Sequence, residues 1–143
     1  MIKRIISRLD IKNNFLVKGI NLEGLRVLGS PETFANTYYN ENIDELILQD
    51  VVASLYKRNQ LNELTKKISQ NIFIPITVGG GIRSIDDISK ALDSGADRVS
   101  INSAAVENPK FIEEAIKKFG SSTISLSIET LNVDSEYKIY TES

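Results

Sequence analysis

Short apolar stretches alternate along this chain with longer segments in which hydrophobic positions recur at helical spacing. Arg4 to Leu9 predicts a strand, and FLVKG (Phe15 to Gly19) a short extended piece within a long loop. Pro31 opens the helical run PETFANTYYN, with Ser30 as N-cap and Thr33, Phe34, Thr37 and Tyr38 at helical spacing. ELILQD (Glu45 to Asp50) is the second strand, and NQLNELTKKISQ (Asn59 to Gln70) the second helix, with Leu61, Leu64 and Ile68 as its apolar stripe. FIPITV (Phe73 to Val78) is the third strand. Ser84 then caps a third helix, with Asp87 completing a capping box, and that helix ends near Gly95. DRVSIN (Asp97 to Asn102) is the fourth strand, Pro109 opens a fourth helix ending at Gly120, and TISLSIE (Thr123 to Glu129) is the fifth strand. The tail YKIYTES reads as extended, one arm of a hairpin over the site.

Strand and helix in regular alternation argue for parallel strands joined by right-handed crossovers. An open doubly wound sheet and part of an eight-fold barrel both fit that pattern. The fifth strand chooses between them, because it sets Thr123, Ser125, Ser127 and Glu129 on one face against Ile124, Leu126 and Ile128 on the other. A central strand of an open sheet is apolar on both faces, whereas small polar residues suit the inside of a barrel near its catalytic end. The expected class is therefore α/β, a TIM (β/α)8 barrel. A complete one needs eight strands and about 250 residues. With 143 residues, the chain is expected to hold only the first five strands, residues 1–143 forming the N-terminal part of one barrel domain. It would be a fragment of a longer protein or a half-barrel that must pair. Its first and fifth strands would then be open edges, so self-association is expected.

Composition narrows the chemistry. Of the residues, 41% are apolar and 25% charged, and the formal net charge is -2. With no Trp and no basic block interleaved with aromatics, nucleic-acid binding has little support. Cys is absent, which removes disulfides, thiol catalysis and thiolate metal sites and fits a cytoplasmic protein. His is absent too, so acid–base work falls to carboxylates, Lys or Tyr. Lys3, Arg4 and Arg8 interrupt any signal peptide, and no apolar run approaches a membrane span. No metal site and no cofactor are expected.

Active sites in such barrels sit at the C-terminal ends of the strands. That filter selects Asp10, Asp50, Gly79, Gly80, Gly81, Asn102 and Glu129. VGGGIRSIDD (Val78 to Asp87) puts three adjacent glycines at a strand end, which lets successive amides converge on an anion, with a helix N-terminus just beyond. The competing reading is a simple turn. The pattern is neither G-x-G-x-x-G nor a P-loop. Asn102 and Ser103 can add donors to the same phosphate. Asp10 and Glu129 would face each other across the mouth as acid and base, or be ordinary loop-edge acids. Arg4 and Arg8 share one strand parity, and inward arginines need partners; Glu45 and Arg98 can form an ionic layer with Arg4. Lys18 can reach over the mouth, although a solvated lysine is the simpler reading. Tyr56 to Arg58 (YKR) sits on a second loop, with a weak claim to phosphate steering.

Five blocks, RIISRLDIKNNFLVKG, GLRVLGSP, DELILQD, IPITVGGGIRS and GADRVSINSAAVENP, in this order resemble the cyclase subunit of imidazole glycerol phosphate synthase over essentially the whole chain. That resemblance implies a (β/α)8 barrel which receives ammonia from a glutaminase (amidotransferase) partner. It adds the ammonia to a phosphoribulosyl-formimino nucleotide, making imidazole glycerol phosphate and aminoimidazole carboxamide ribonucleotide for histidine biosynthesis. By resemblance Asp10 and Glu129 are the two catalytic carboxylates, Lys18 belongs to the first loop and Asp50 ends the second strand. Gly81, Asn102 and Ser103 bind one substrate phosphate, and Arg4, Glu45 and Arg98 line the ammonia entrance.

Several positions depart from the family pattern. Glu129 stands where an aspartate is usual, Arg98 where lysine is usual, and SRLD replaces PCLD, so Arg8 places a cation beside Asp10. RLDIKNNFLVKGINLEGLRVLG is also similar to a divergent branch associated with surface-sugar gene clusters. There an amidotransferase-linked barrel is thought to aminate or amidinate a polysaccharide sugar. The related isomerase of histidine biosynthesis shares the half-barrel logic but leaves the NLEGLR block and the charged entrance unexplained. A non-enzymatic, phosphate-binding scaffold for an amidotransferase is the reading from a different class.

Overall fold

The computed structural model describes residues 3–20, 23–53 and 61–140. Five parallel strands form the centre: β1 (Ile6–Lys12), β4 (Glu45–Asp50), β5 (Ile76–Gly79), β6 (Arg98–Ile101) and β7 (Ile124–Leu126). Two further strands, β2 (Phe15–Ile20) and β3 (Glu23–Gly29), extend the sheet antiparallel beyond β1, giving the order β3-β2-β1-β4-β5-β6-β7. A separate hairpin, β8 (Glu129–Val133) and β9 (Glu136–Tyr140), follows. The helices are α1 (Pro31–Asn40), α2 (Leu61–Ser69), α3 (Ile85–Asp93), α4 (Ser103–Glu107) and α5 (Pro109–Phe119). This is a partial (β/α)8 barrel, as the alternating pattern predicts.

Parity within the parallel strands divides the sheet into two faces. Leu9, Leu46, Leu48, Ile76, Val78 and Val99 are nearly or wholly buried and carry the core between sheet and helices. The other parity is largely polar, with Ile6 and Ile47 as apolar exceptions. Asp10 pairs with Gln49, Gln49 with Gly79, Gly79 with Ser100 and Ser100 with Ser125, forming one row across the barrel interior. The helices pack their apolar stripes on the first face: Leu61, Leu64 and Ile68 of α2 are all buried, as their spacing requires. Ser84 caps α3 with the expected reciprocal bonds to Asp87, and Gly95 and Gly120 close α3 and α5 at positive φ.

Some boundaries differ from expectation. β1 does not stop at Leu9. It continues through Asp10 to Lys12 and turns at Asn13 and Asn14, whose positive φ values of 50° and 65° make a tight two-residue hairpin. The expected long loop is therefore largely strand, and Lys18 lies within β2. The fifth strand ends at Leu126, so Glu129 opens the β8–β9 hairpin and does not close the barrel strand. That hairpin turns at Asp134 and Ser135, again at positive φ, and includes the start of the tail expected to form one arm. The third strand begins at Ile76 instead of Phe73, which is exposed. The short α4 has no counterpart in the sequence reading. Tyr56 to Arg58 and the first two residues of the expected second helix lie outside the described residues.

At α1, Ser30 accepts from the Thr33 amide and donates to Glu32, which holds the Glu32 carboxyl below its ordinary value. A group with a depressed folded-state pKa stabilises above its unfolded pKa and loses that contribution as pH falls through the folded one. Ser30→Ala is expected to cost about 1 kcal/mol at neutral pH. In thermal melts the difference from wild type should narrow on acidification below the carboxyl range.

Candidate functional site

A cleft of about 190 Å³ opens at the C-terminal ends of β4, β5 and β6, where the barrel geometry directs attention. Gln49, Asp50, Gly80, Gly81, Ser100, Asn102, Ser103 and Glu129 border it, as do two cations, Arg8 and Arg83. The structure thus brings together Asp50, two of the three glycines, Asn102, Ser103 and Glu129. It does not bring in Asp10 or Lys18. Lys18 is exposed on β2 opposite Arg26. Asp10 shares the interior face, but Arg8 stands at the cleft and its Nε donates to Asp10 Oδ1 at 2.6 Å.

The glycine turn has steric reasons of its own. A Cβ on Gly79 would lie 2.3 Å from Gln49 Oε1, and one on Gly80 2.3 Å from the Asp50 backbone oxygen. Gly80 and Gly81 have φ of 94° and 74°. Gly80 is therefore required by the Asp50 backbone, and Gly80 and Gly81 by the positive φ of the turn, so neither needs a ligand to account for it. Gly79 faces chiefly the movable tip of the Gln49 side chain. The helix N-terminus beyond is also partly occupied. Asp87 Oδ2 accepts from the amides of Arg83 and Ser84, and the Asp87 amide donates to Ser84 Oγ. The expected supply of unpaired α3 amides is reduced accordingly.

Other groups are better placed to meet a ligand. Asn102, in an unusual backbone conformation (φ -121°, ψ -91°), carries a buried side-chain oxygen with no hydrogen-bond partner among the described residues. A buried polar atom without a partner costs free energy until something satisfies it. Asp50, 5% exposed, uses one carboxylate oxygen to accept from the Val52 amide at 3.0 Å, which fixes its side chain at the cleft wall. Gln49, Ser100 and Arg83 were not selected from sequence, whereas Ser127, read there on the inner face of the fifth strand, does border the cleft. Strand parity carried the signal for the first two, since Gln49 follows Glu45 and Ser100 follows Arg98 on the same face.

The opposite end of the barrel interior holds the ionic layer expected from strand parity. Glu45 is 5% exposed and receives both arginines: Arg4 Nη1 donates to Oε1 and Arg98 Nη1 to Oε2 at 2.7 Å. One carboxylate buried between two partly exposed guanidinium groups is fully paired, which is the condition for its burial. Among the described residues no group of acidic side chains is arranged to hold a metal ion, and no helix is long and apolar enough to cross a membrane.

A five-strand parallel arc, largely polar on its inner face, with a cleft at its C-terminal rim, defines a partial barrel of the (β/α)8 class. Residues 4–143 match the family described as Histidine biosynthesis protein, and the chain belongs to it. It is 51% identical over 141 residues to the imidazole glycerol phosphate synthase subunit HisF of Legionella pneumophila, covering 98% of this chain and 66% of that protein. It is 49% identical over 134 residues to the HisF subunit of Hydrogenobaculum sp. (strain Y04AAS1), covering 94% of this chain and 53% of the relative. With the HisF subunit of Sulfurisphaera tokodaii it shares 44% over 141 residues, covering 99% and 57%. The chain thus spans between about half and two thirds of the length of these relatives.

Gly80→Ala is expected to destabilise the protein by about 2–4 kcal/mol, combining left-handed backbone strain with overlap onto the Asp50 backbone. Gly24→Ala, at positive φ but with open space around it, should cost only about 1–2 kcal/mol. Denaturant titration of the two variants side by side checks the contrast.

Proposed function

We propose that this chain is the N-terminal part of a cyclase subunit of imidazole glycerol phosphate synthase, and that its cleft is part of that enzyme's active site. The observation that carries the reading is the concentration of Asp50, the glycine turn, Asn102, Ser103 and Glu129 in one cleft, in a chain about half identical to HisF subunits along nearly all its length. In the complete barrel, Gly79, Gly80, Gly81, Asn102 and Ser103 bind a substrate phosphate, with Asp50 shaping the wall and Lys18 reaching from the β2–β3 extension. Glu129 and Asp10 supply the acid and base that cyclisation needs in a protein without histidine. Asp10 does so after parting from Arg8, whose guanidinium keeps its protons and cannot relay them. Ammonia enters past Arg4, Glu45 and Arg98 from a glutaminase subunit docked at that end. It adds to the phosphoribulosyl-formimino nucleotide, and cyclisation with cleavage divides the adduct into imidazole glycerol phosphate and aminoimidazole carboxamide ribonucleotide.

The test restores the C-terminal segment that the relatives possess and supplies ammonium with the phosphoribulosyl-formimino nucleotide, following loss of substrate absorbance. Turnover is expected, falling about 100-fold or more in Asp10→Asn and in Glu129→Gln. A folded protein without turnover, or variants as active as wild type, would overturn the assignment. The first outcome would direct attention to amination of a surface sugar, where a different acceptor accounts for Arg8 and Glu129.

A further inference from the structure

Gln49 has no part in the reaction proposed above, yet its position is closely fixed. In the inner row of the parallel strands it pairs with Asp10 of β1 on one side and Gly79 of β5 on the other. Its side chain leaves β4 and lies over β5, where the carboxamide fills the space that a Cβ on Gly79 would need. Gln49 Cδ is 3.1 Å from that point, and so is Ser100 Cβ of β6. A side chain at position 79 would therefore push the carboxamide aside. Gly79 does not share the positive φ of Gly80 and Gly81, so backbone conformation leaves this glycine unexplained, whereas room for Gln49 explains it.

Gln49 borders the cleft together with Gly80, Gly81, Asn102 and Ser103. A carboxamide carries two N–H donors and an acceptor oxygen. Among the described residues none of the three is taken up by the protein, although the residue is half-buried. Polar atoms withdrawn from water without partners cost free energy until something bonds them. A ligand that reaches from a phosphate on the glycine turn toward the Asp10 carboxylate must cross β4, at about 5 Å per strand, and the Gln49 carboxamide lies on that path.

We infer that Gln49 is a specificity-determining residue that hydrogen-bonds a hydroxyl on the carbon chain beside the ligand's phosphate, with Gly79 giving it room to lie there. The inference rests on the cyclase reading. The ribulosyl chain of the proposed substrate bears hydroxyls next to its phosphate, and imidazole glycerol phosphate retains them. A carboxamide both donates to and accepts from a hydroxyl, which suits it to such a chain.

Calorimetric titration of the 143-residue chain with imidazole glycerol phosphate and with inorganic phosphate tests this, because only the first carries the hydroxylated chain. Wild type is expected to bind imidazole glycerol phosphate the more tightly. Gln49→Met keeps the length of the side chain and removes its hydrogen bonds; it should weaken imidazole glycerol phosphate about tenfold and leave inorganic phosphate within about twofold. An unchanged thermal melt verifies that the variant folds. Gly79→Ala, which displaces the carboxamide without removing it, should reproduce the same selective loss. Equal affinity of wild type for both ligands, undiminished binding of imidazole glycerol phosphate by Gln49→Met, or an equal loss of both ligands would overturn the role of Gln49 and leave the phosphate site standing. Full affinity in Gly79→Ala would overturn the part assigned to Gly79. Absence of binding of either ligand by wild type would overturn the phosphate site, and the role of Gln49 with it.

Discussion

Everything at the cleft depends on strand parity held in step across five parallel strands. Because neighbours pair without a slip from β1 to β7, each strand turns the same alternate residues inward. A single-residue shift in any pair would exchange its polar and apolar sets. The burial of Leu9, Leu48, Val78 and Val99 under the helices therefore does two things at once. It supplies the hydrophobic term that holds the sheet, and it delivers Asp10, Gln49, Gly79, Ser100 and Ser125 to one interior row.

The charged groups follow the same logic. Inward side chains in the narrow part of a barrel must pair, and here they form two separate units, one around Glu45 and one joining Arg8 to Asp10. The Glu45 unit ties Arg4, in the segment just before β1, to β4 and β6. The Arg8 unit is confined to β1 and more exposed. One is a structural clasp between distant parts of the chain, and the other is a local, partly exposed pair within one strand.

Much of this was legible in the sequence, because periodicity and capping are local properties. The strand Glu45–Asp50, the helix opening at Pro31 and the Ser84–Asp87 capping box come directly from such signals, as does the Arg4–Glu45–Arg98 layer from strand parity. What escaped depends on turn chemistry and on tertiary proximity. Asn13-Asn14 and Asp134-Ser135 are two-residue turns at positive φ, and reading them as such would have revealed β2 and separated Glu129 from the barrel strand. No local pattern could report that Arg8 reaches the cleft while Asp10 does not. Nor could it say that the glycines answer to β4, because both facts arise from a neighbouring strand or a side-chain rotamer.

The contact between Gly80 and Asp50 carries an evolutionary consequence. A Cβ on Gly80 would lie 2.3 Å from the Asp50 backbone oxygen, and Gly80 has a φ of 94°. Backbone cannot be shortened, so no exchange of side chain at position 50 makes room for one at position 80. Drift at this strand end is left to positions that face side-chain tips, such as Gly79 beside Gln49, where the neighbour can turn aside.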